Sequence, residues 1–124
     1  MTEKQKMLSG ELYNASDTEL IKDRAIAKDM CFEYNKLPSS EIIKKMALIK
    51  NIFVKTGSQV IVESNFWCDY GYNISVGENF YMNHNGVILD CAKVTFGNNV
   101  MIGPNCGFYT AIHPIDFKTR NKYL

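Results

Sequence analysis

The sequence has almost no net charge, and it has no apolar stretch long enough to cross a membrane. Fourteen basic residues face thirteen acidic residues, which gives a formal net charge of +1. This balance gives no electrostatic reason to expect binding to nucleic acid or to an anionic membrane. No apolar run approaches the roughly 20 residues of a spanning helix, and residues 1–12 lack the apolar core of a secretory signal. We therefore expect a cytoplasmic protein with neither partner.

Histidine is also scarce, and the cysteines form no recognisable motif. The chain has four cysteines, Cys31, Cys68, Cys91 and Cys106, and no two of them form a C-x-x-C pair. We therefore expect reduced, mostly buried thiols rather than a disulfide framework. The only histidines are His84 and His113, whereas a catalytic zinc ion typically needs three protein ligands. No metal site is expected.

What the chain does have is an apolar content of 46 % over 124 residues, enough for one domain with a core. Residues 16–53 have the pattern of two helices. Ser16 to Glu19 has the S-x-x-E form of a capping box, which predicts a helix start. Residues at helical spacings follow it: Leu20, Ala27, Cys31 and Tyr34.

The second helix is expected after Pro38, which removes a backbone donor and ends the first helix. Ser39 or Ser40 could cap it. One apolar stripe then follows at i, i+4, i+7 and i+11, formed by Ile42, Met46, Ile49 and Phe53. Such a stripe predicts a helix that docks on a larger body.

From residue 54 the pattern changes to a repeat of twenty residues. When the blocks 54–73, 74–93 and 94–113 are aligned beneath one another, similar residues fall at the same position, or phase, of each block. The coinciding sets are Val54/Ile74/Val94, Gly57/Gly77/Gly97, Val60/Phe80/Val100, Val62/Met82/Ile102, Asn65/Asn85/Asn105 and Cys68/Ile88/Phe108. A fixed period is the signature of a repeat architecture.

Within each block the apolar anchors fall at steps of six, six and eight residues, as in Val76, Met82, Ile88, Phe96, Ile102 and Phe108. A step of six fits a short strand and a turn, so three steps predict one triangular coil whose anchors point inward. Smaller residues four places after an anchor, Gly86, Ala92 and Cys106, are also expected to point inward. Gly77, Gly97 and Gly103 follow an anchor, where a Cβ is expected to be crowded.

An ordinary antiparallel sheet is the alternative fold. The stretches N-H-N-G at 83–86 and G-N-N at 97–99 could form its hairpin turns. Hairpins do not require that landmarks keep one phase over twenty residues, so the repeat is the favoured interpretation.

Three stretches of the sequence carry a resemblance to a known family. MLSGELYNASDTEL, NFWCDYGYNISVGENFYMNHN and YTAIHPID resemble the helical start, the acceptor-site coil and the catalytic loop of the maltose and galactoside O-acetyltransferases, which are hexapeptide-repeat acyltransferases. The forms CDYGYN and YTAIHPID favour the maltose branch. The resemblance implies a left-handed parallel β-helix over residues 54–124, three coils and the start of the catalytic loop, preceded by a small α-helical region over residues 1–53.

The resemblance also implies a reaction, in which an acetyl group passes from acetyl-CoA to a sugar hydroxyl. A hydroxyl is a weak nucleophile at neutral pH, so a base must take its proton as it attacks the thioester. His113 matches the position of the family's catalytic base, and histidine can take up a proton near neutral pH. No G-x-S-x-G elbow points to a covalent intermediate. The family implies a homotrimer with sites between neighbouring copies, in which His113 and the acceptor contacts could come from different copies.

Four further positions match acceptor contacts of the family: Asp69, Asn83, Tyr81 and Arg24. Each also has an ordinary structural interpretation. Asp69 could cap a turn, Asn83 could bond the backbone, Tyr81 could pack and Arg24 could be solvated. Similarly, His113 could be a loop histidine bonded to backbone. In part of the family an acidic residue also contacts the acceptor, and its position falls at Ala15 here, with Asn14 and Asp17 nearby. Asn85 is explained as a repeat asparagine, because Asn65 and Asn105 share its phase.

Two other functions remain open. Zinc carbonic anhydrases use the same kind of helix with histidine ligands, but here only His84 and His113 are available. The family continues for several coils after the catalytic loop, so the chain could instead be a truncated relative that folds and associates without catalysis. In that case we expect it to be less stable than a longer relative.

Overall fold

The computed structural model describes residues 1–123, so Leu124, the last residue of the predicted β-helical region, lies outside the described part. The helices are α1 (Glu3–Ser9), α2 (Thr18–Asn35), α3 (Ile42–Ile52) and α4 (Phe117–Tyr123). The strands are β1 (Val60–Val62), β2 (Phe66–Cys68), β3 (Ile74–Val76), β4 (Phe80–Met82), β5 (Gly86–Leu89), β6 (Val94–Phe96), β7 (Met101–Ile102) and β8 (Gly107–Tyr109).

The strands pair in parallel, each with the strand twenty residues further along the chain. Val60 pairs with Phe80, Cys68 with Ile88 and Ile74 with Val94. Three sheets result, with strand orders β1-β4-β7, β2-β5-β8 and β3-β6. The twenty-residue period is therefore confirmed, and the antiparallel alternative is wrong. We call each twenty-residue circuit, 54–73, 74–93 and 94–113, a coil.

Asparagines turn the chain at two corners of the second and third coils. Asn79, Asn85, Asn99 and Asn105 have positive φ angles of 58–63°, a left-handed conformation in which asparagine is enriched. Their side chains bond from coil to coil, since Asn79 Nδ2 donates to Asn99 Oδ1 at 3.2 Å and Asn85 Nδ2 donates to Asn105 Oδ1 at 3.0 Å. The interpretation of Asn85 as a repeat asparagine is confirmed.

The apolar anchors fill the interior of the coils. Val60, Val62, Phe80, Met82 and Ile88 are almost fully buried, while Val94, Phe96, Val100, Cys106 and Phe108 pack against them from the less covered third coil. Gly86 is buried as expected, and Ala92 is half-buried. Val54 differs from Ile74 and Val94, the residues in the same phase, because it is 62 % exposed whereas they are buried and half-buried.

The crowding predicted at glycines holds only where another coil lies above. A Cβ on Gly77 would lie 2.7 Å from the backbone of Gly97, whereas a Cβ on Gly97 or Gly103 would meet nothing within 4 Å in the described residues. The prediction is wrong for Gly97 and Gly103, since none of residues 1–123 covers the third coil there.

Helices α2 and α3 cover two sides of the first coil. Leu20, Ala27, Cys31 and Tyr34 form the buried side of α2, as predicted. The Tyr34 hydroxyl donates to the Val62 carbonyl, and the rings of Phe53 and Phe66 meet edge to face at 5.6 Å. The helices and the coils therefore share one core.

Both predicted helix caps are wrong. Asp17, not Ser16, caps the start of α2, since its carboxylate accepts from the backbone N–H groups of Glu19 and Leu20. Glu41 precedes α3 and makes no side-chain cap. The predicted stripe of α3 is also only partly right, because Ile49 and Phe53 are buried but Ile42 is 57 % exposed. Lys45 and Ile52 complete the buried side instead.

The cysteines are free, and three of the four are buried, as expected. Cys31 and Cys68 bring α2 against β2 with their sulfur atoms 3.8 Å apart. None of the helices within residues 1–123 is long and apolar enough to span a membrane.

Candidate functional site

A cavity of ≈ 250 Å³ and a larger one of ≈ 620 Å³ indent the surface. The larger one lies where α2 and the segment before it meet the loop that follows β8. We call it the His113 cavity; its walls include Arg24, Asp69, Tyr70, Cys91, Thr110 and His113. Three of the five residues singled out in the sequence, Arg24, Asp69 and His113, thus share one cavity.

His113 lies in the loop between β8 and α4, and its side chain is exposed. Thr110 anchors the start of this loop to the coil below. Its N–H and its hydroxyl donate to the Leu89 carbonyl at 3.2 and 2.7 Å, and the hydroxyl oxygen accepts from the Ala92 N–H at 3.0 Å. Within residues 1–123 the His113 imidazole has no hydrogen-bond partner, so both ring nitrogens are available to a ligand or to another chain.

Arg24 projects from α2 and is fixed at two nitrogens. Nη1 donates to the Tyr70 hydroxyl at 2.8 Å, and Nη2 donates to the Ala15 carbonyl at 2.6 Å. Ala15, where part of the family has an acidic contact, therefore contributes a backbone oxygen. Since a guanidinium has five N–H donors, three remain for other partners.

Asp69 follows β2 directly and is half-buried. Its Oδ2 accepts from the Cys91 thiol, with 3.4 Å between oxygen and sulfur. Burial raises the pKa of Cys91 to about 11, a bond with Tyr13 lowers it in part, and the Asp69 charge raises it further. The thiol therefore stays protonated and donates, which leaves most of the carboxylate's acceptor positions for other groups.

Tyr81 and Asn83 lie elsewhere on this chain. Tyr81 belongs to β4 and lines the smaller cavity, together with Tyr34 and Lys45. The Oδ1 of Asn83 accepts from the N–H of His84 at 2.7 Å. Neither residue borders the His113 cavity, so a single chain divides the predicted site residues into two groups.

Sequence reasoning missed Tyr13, Tyr70 and Cys91, which also line this cavity. Tyr70 contacts Arg24 across 46 positions, a distance that no local pattern reveals. Tyr70 itself could have been singled out, because it directly follows Asp69 in the CDYGYN motif.

The His113 cavity combines an imidazole, a guanidinium and a carboxylate around an opening large enough for a small polar molecule. Such a set suits a ligand that carries several hydroxyl groups, which can both donate and accept. Within the described residues, no group of three or more His, Cys, Asp or Glu side chains is placed to hold a metal ion.

Comparison with known proteins gives a family and several relatives. Residues 6–57 match the maltose acetyltransferase hexapeptide capping motif. Over 99 % of its length the chain is similar to a maltose O-acetyltransferase from Clostridium difficile 630, with 46 % identity and a TM-score of 0.97, and it covers 66 % of that chain. A hexapeptide-repeat acetyltransferase from Vibrio cholerae, complexed with acetyl coenzyme A, is 33 % identical with a TM-score of 0.85; the match covers all of this chain and 67 % of that one.

A third relative is nodulation protein L of Rhizobium meliloti, which is 41 % identical over 123 residues. The match covers 99 % of this chain and 67 % of that protein. The chain spans about three fifths to two thirds of the length of the curated relatives it matches.

Proposed function

The chain belongs to the hexapeptide-repeat acetyltransferase family, and from this membership we propose that it transfers an acetyl group from acetyl-CoA to a sugar hydroxyl. The family predicted from its motifs is thereby confirmed. The observation that carries the proposal is the meeting of Arg24, Asp69 and His113 in one cavity. A maltose- or glucose-type sugar is the acceptor we propose, since the family motif and one of the most similar structures are of maltose acetyltransferases.

We propose the left-handed β-helix of this family for the coiled region. Parallel pairing at a constant step of twenty residues supports it. The same step places every third strand in one sheet, which is the arrangement a triangular coil requires.

In the proposed reaction, a ring nitrogen of His113 takes the proton of the acceptor hydroxyl as that oxygen attacks the thioester carbonyl. The bond from carbonyl carbon to sulfur then breaks, and the imidazolium returns the proton to the departing thiolate. The products are the O-acetyl sugar and free coenzyme A, so atoms and charges balance. The exposed position of His113 and its lack of partners in residues 1–123 support this role.

Arg24 and Asp69 would hold the sugar. A guanidinium with unused donors and a carboxylate with unused acceptors can together fix the hydroxyl groups of one ring. Both side chains are already bonded to protein, to Tyr70 and to Cys91, and this lowers the entropy lost on binding.

Tyr81 and Asn83 would enter the site from a neighbouring copy in a homotrimer. They lie on the β1-β4-β7 side of the coils and outside the His113 cavity, yet both match family acceptor contacts. A neighbour that packs this side against the His113 loop would unite the two groups. The separation of the two groups in one chain supports the trimer proposed from the family.

The test is acetyl-CoA turnover with maltose, glucose and galactosides by the wild type, His113→Ala and His84→Ala. We expect sugar-dependent release of coenzyme A that falls at least 100-fold in His113→Ala, the lower range for a general base. His84→Ala is the matched control, because His84 is the other histidine and its Nδ1 bonds Ser64 outside the cavity. Its turnover should stay within twofold of wild type.

Two results would contradict the proposal. Equal turnover in the wild type and in His113→Ala would remove His113 from the mechanism. A folded wild type without sugar-dependent turnover would favour the non-catalytic alternative. Sedimentation of the same sample tests the trimer, since a monomer that turns over sugar would show that Tyr81 and Asn83 of a neighbour are not needed.

A further inference from the structure

Asp90 is fully buried and accepts three hydrogen bonds from one turn of the first coil, two at its carboxylate and one at its backbone carbonyl. It follows β5 and has no exposed surface. Its Oδ1 accepts from the N–H of Tyr70 at 2.8 Å, and its Oδ2 accepts from the N–H of Asn73 at 3.2 Å. Its backbone carbonyl accepts from Asn73 Nδ2 at 2.7 Å. Asp90 therefore makes three of the hydrogen bonds that hold the turn from Tyr70 to Asn73, beside the one that the Val94 N–H donates to the Asn73 carbonyl at 2.9 Å.

Burial of the charged Asp90 carboxylate costs free energy of folding. Burial raises the pKa of Asp90 to about 6, although the N–H groups of Tyr70 and Asn73 partly oppose the shift. A smaller polar side chain or a water molecule could satisfy one N–H without a buried charge. A carboxylate can accept from both N–H groups of the turn at once, which gives this turn one defined position.

Tyr70 connects this turn to the His113 cavity, which its side chain lines. Its side chain is only 5 % exposed, and its ring stacks on Tyr72 with centroids 5.2 Å apart. Its hydroxyl oxygen accepts from Arg24 Nη1 at 2.8 Å. Burial raises the pKa of Tyr70 to about 12 even with Arg24 beside it, so the group that meets the guanidinium is a neutral hydroxyl.

Arg24 depends on this contact for its direction. Its other bond goes to the Ala15 carbonyl in the irregular segment between α1 and α2. Without the Tyr70 hydroxyl, the guanidinium would keep only one hydrogen bond, to Ala15, and a contact with the Tyr70 ring at 5.9 Å, which does not prevent rotation about that bond. The position of Asp90 is thus linked to that of Arg24 through one backbone turn and one phenol.

We infer that Asp90 and Tyr70 are positioning residues, which orient the Arg24 guanidinium for the sugar acceptor without touching the sugar themselves. The inference rests on the proposed function for the identity of the ligand. It adds Asp90, which lies outside the motifs quoted above, and it gives a role to Tyr70, which lies within CDYGYN but matches no contact of the family.

The chain provides a matched control in Tyr72. Tyr70 and Tyr72 lie in the same turn, stack on each other and each bond a residue of α2 through the hydroxyl. The partner of Tyr72 is Asp23, at 2.8 Å, and neither Tyr72 nor Asp23 borders the His113 cavity. Tyr72→Phe therefore removes a comparable bond without affecting Arg24.

The kinetic test compares Asp90→Asn, Tyr70→Phe and Tyr72→Phe, each alone and combined with Arg24→Ala. We expect the sugar KM to rise about tenfold in the first two, as for a lost bond to a charged group, with the acetyl-CoA KM within twofold. In the Arg24→Ala background neither change should raise the sugar KM further, since both act through Arg24. Tyr72→Phe should leave the sugar KM unchanged.

A second measurement does not depend on turnover. In protein with labelled arginine, the Arg24 guanidinium N–H signals should be resolved in the wild type and in Tyr72→Phe. They should broaden or merge in Tyr70→Phe and in Asp90→Asn. Thermal melts identify a variant that fails to fold, and Tyr70→Phe, which keeps the ring, decides the question if Asp90→Asn does fail.

Unchanged Arg24 signals in Tyr70→Phe would overturn the inference, and so would additive effects of Tyr70→Phe and Arg24→Ala on the sugar KM. A wild type without sugar turnover would overturn the proposed function alone. The nuclear magnetic resonance result would then decide whether Asp90 and Tyr70 position Arg24.

Discussion

Gly77 and Gly97 occupy the same phase of two successive coils, yet only Gly77 is covered by another coil. A Cβ on Gly77 would lie 2.7 Å from the carbonyl carbon of Gly97, while a Cβ on Gly97 would meet nothing within 4 Å among residues 1–123. Equivalent residues of the repeat therefore have different steric requirements, which depend on whether another coil stacks over them.

Gly77→Ala should consequently destabilise the chain, and Gly97→Ala should not. The backbone of Gly97 cannot move away without disturbing the pairing of β3 with β6, so we expect a loss of about 1–3 kcal/mol, as for other overpacked sites. Gly97→Ala should change the free energy of unfolding by less than about 0.5 kcal/mol. Urea denaturation of both variants measures the difference, and equal losses would contradict the stacking argument.

The repeat made the core and the strand register predictable. Because residues in one phase pair with each other, the alignment of Val60 with Phe80 and of Met82 with Ile102 already specifies the partners that the structure shows. The same phases could have separated the site residues. Asp69 is in phase with Leu89 and Tyr109, and Tyr81 is in phase with Ile61 and Met101, so they belong to different sides of the coil.

Contacts between the helices and the coils could not be predicted in this way. The bond from Arg24 to Tyr70 and the place of Ala15 beside it depend on how α2 packs on β2. Helix α1 was also missed, since its capping box pairs Thr2 with Gln5 and only Met7 of its residues is buried. A single buried residue leaves no apolar period to detect.

Asp17→Ala should destabilise α2, whereas Ser16→Ala should have little effect. The Asp17 carboxylate accepts from the N–H groups of Glu19 and Leu20 at 3.1 and 3.4 Å, and loss of such a cap typically costs about 1 kcal/mol. Ser16 is exposed, and only its backbone N–H is bonded, to Asn14 Oδ1. Thermal unfolding distinguishes the two, and a larger loss in Ser16→Ala would restore the cap predicted from the S-x-x-E pattern.

Asn83→Ala and Asn85→Gly should separate a binding asparagine from a structural one. We expect Asn83→Ala to lower sugar turnover about tenfold if a neighbouring copy presents it to the acceptor, since one hydrogen bond to the substrate is lost. Glycine accepts the positive φ of 63° at Asn85, so Asn85→Gly should lose some stability, through the missing bond to Asn105, and keep its turnover. Equal turnover in both variants would argue against a site shared between copies.

The buried carboxyl of Asp90 should give the stability of the chain a pH dependence of unusual sign. Its pKa is raised by burial from 3.8 to about 6, so between these values the folded chain keeps a proton that the unfolded chain has released. The contribution of Asp90 to the free energy of unfolding therefore falls as pH rises from about 4 to 6, and it is constant above that range. Asp90→Asn has no proton to lose at this position.

The measurement is the free energy of unfolding of the wild type and of Asp90→Asn at several values from pH 4 to pH 7. Contributions of the other titrating groups largely cancel in the difference between the two proteins, because both contain them. The stability of the wild type relative to the variant should decrease from pH 4 to pH 6 and then stay constant. A difference that instead grows with pH would mean that the N–H groups of Tyr70 and Asn73 outweigh burial and hold the Asp90 carboxylate in its charged form.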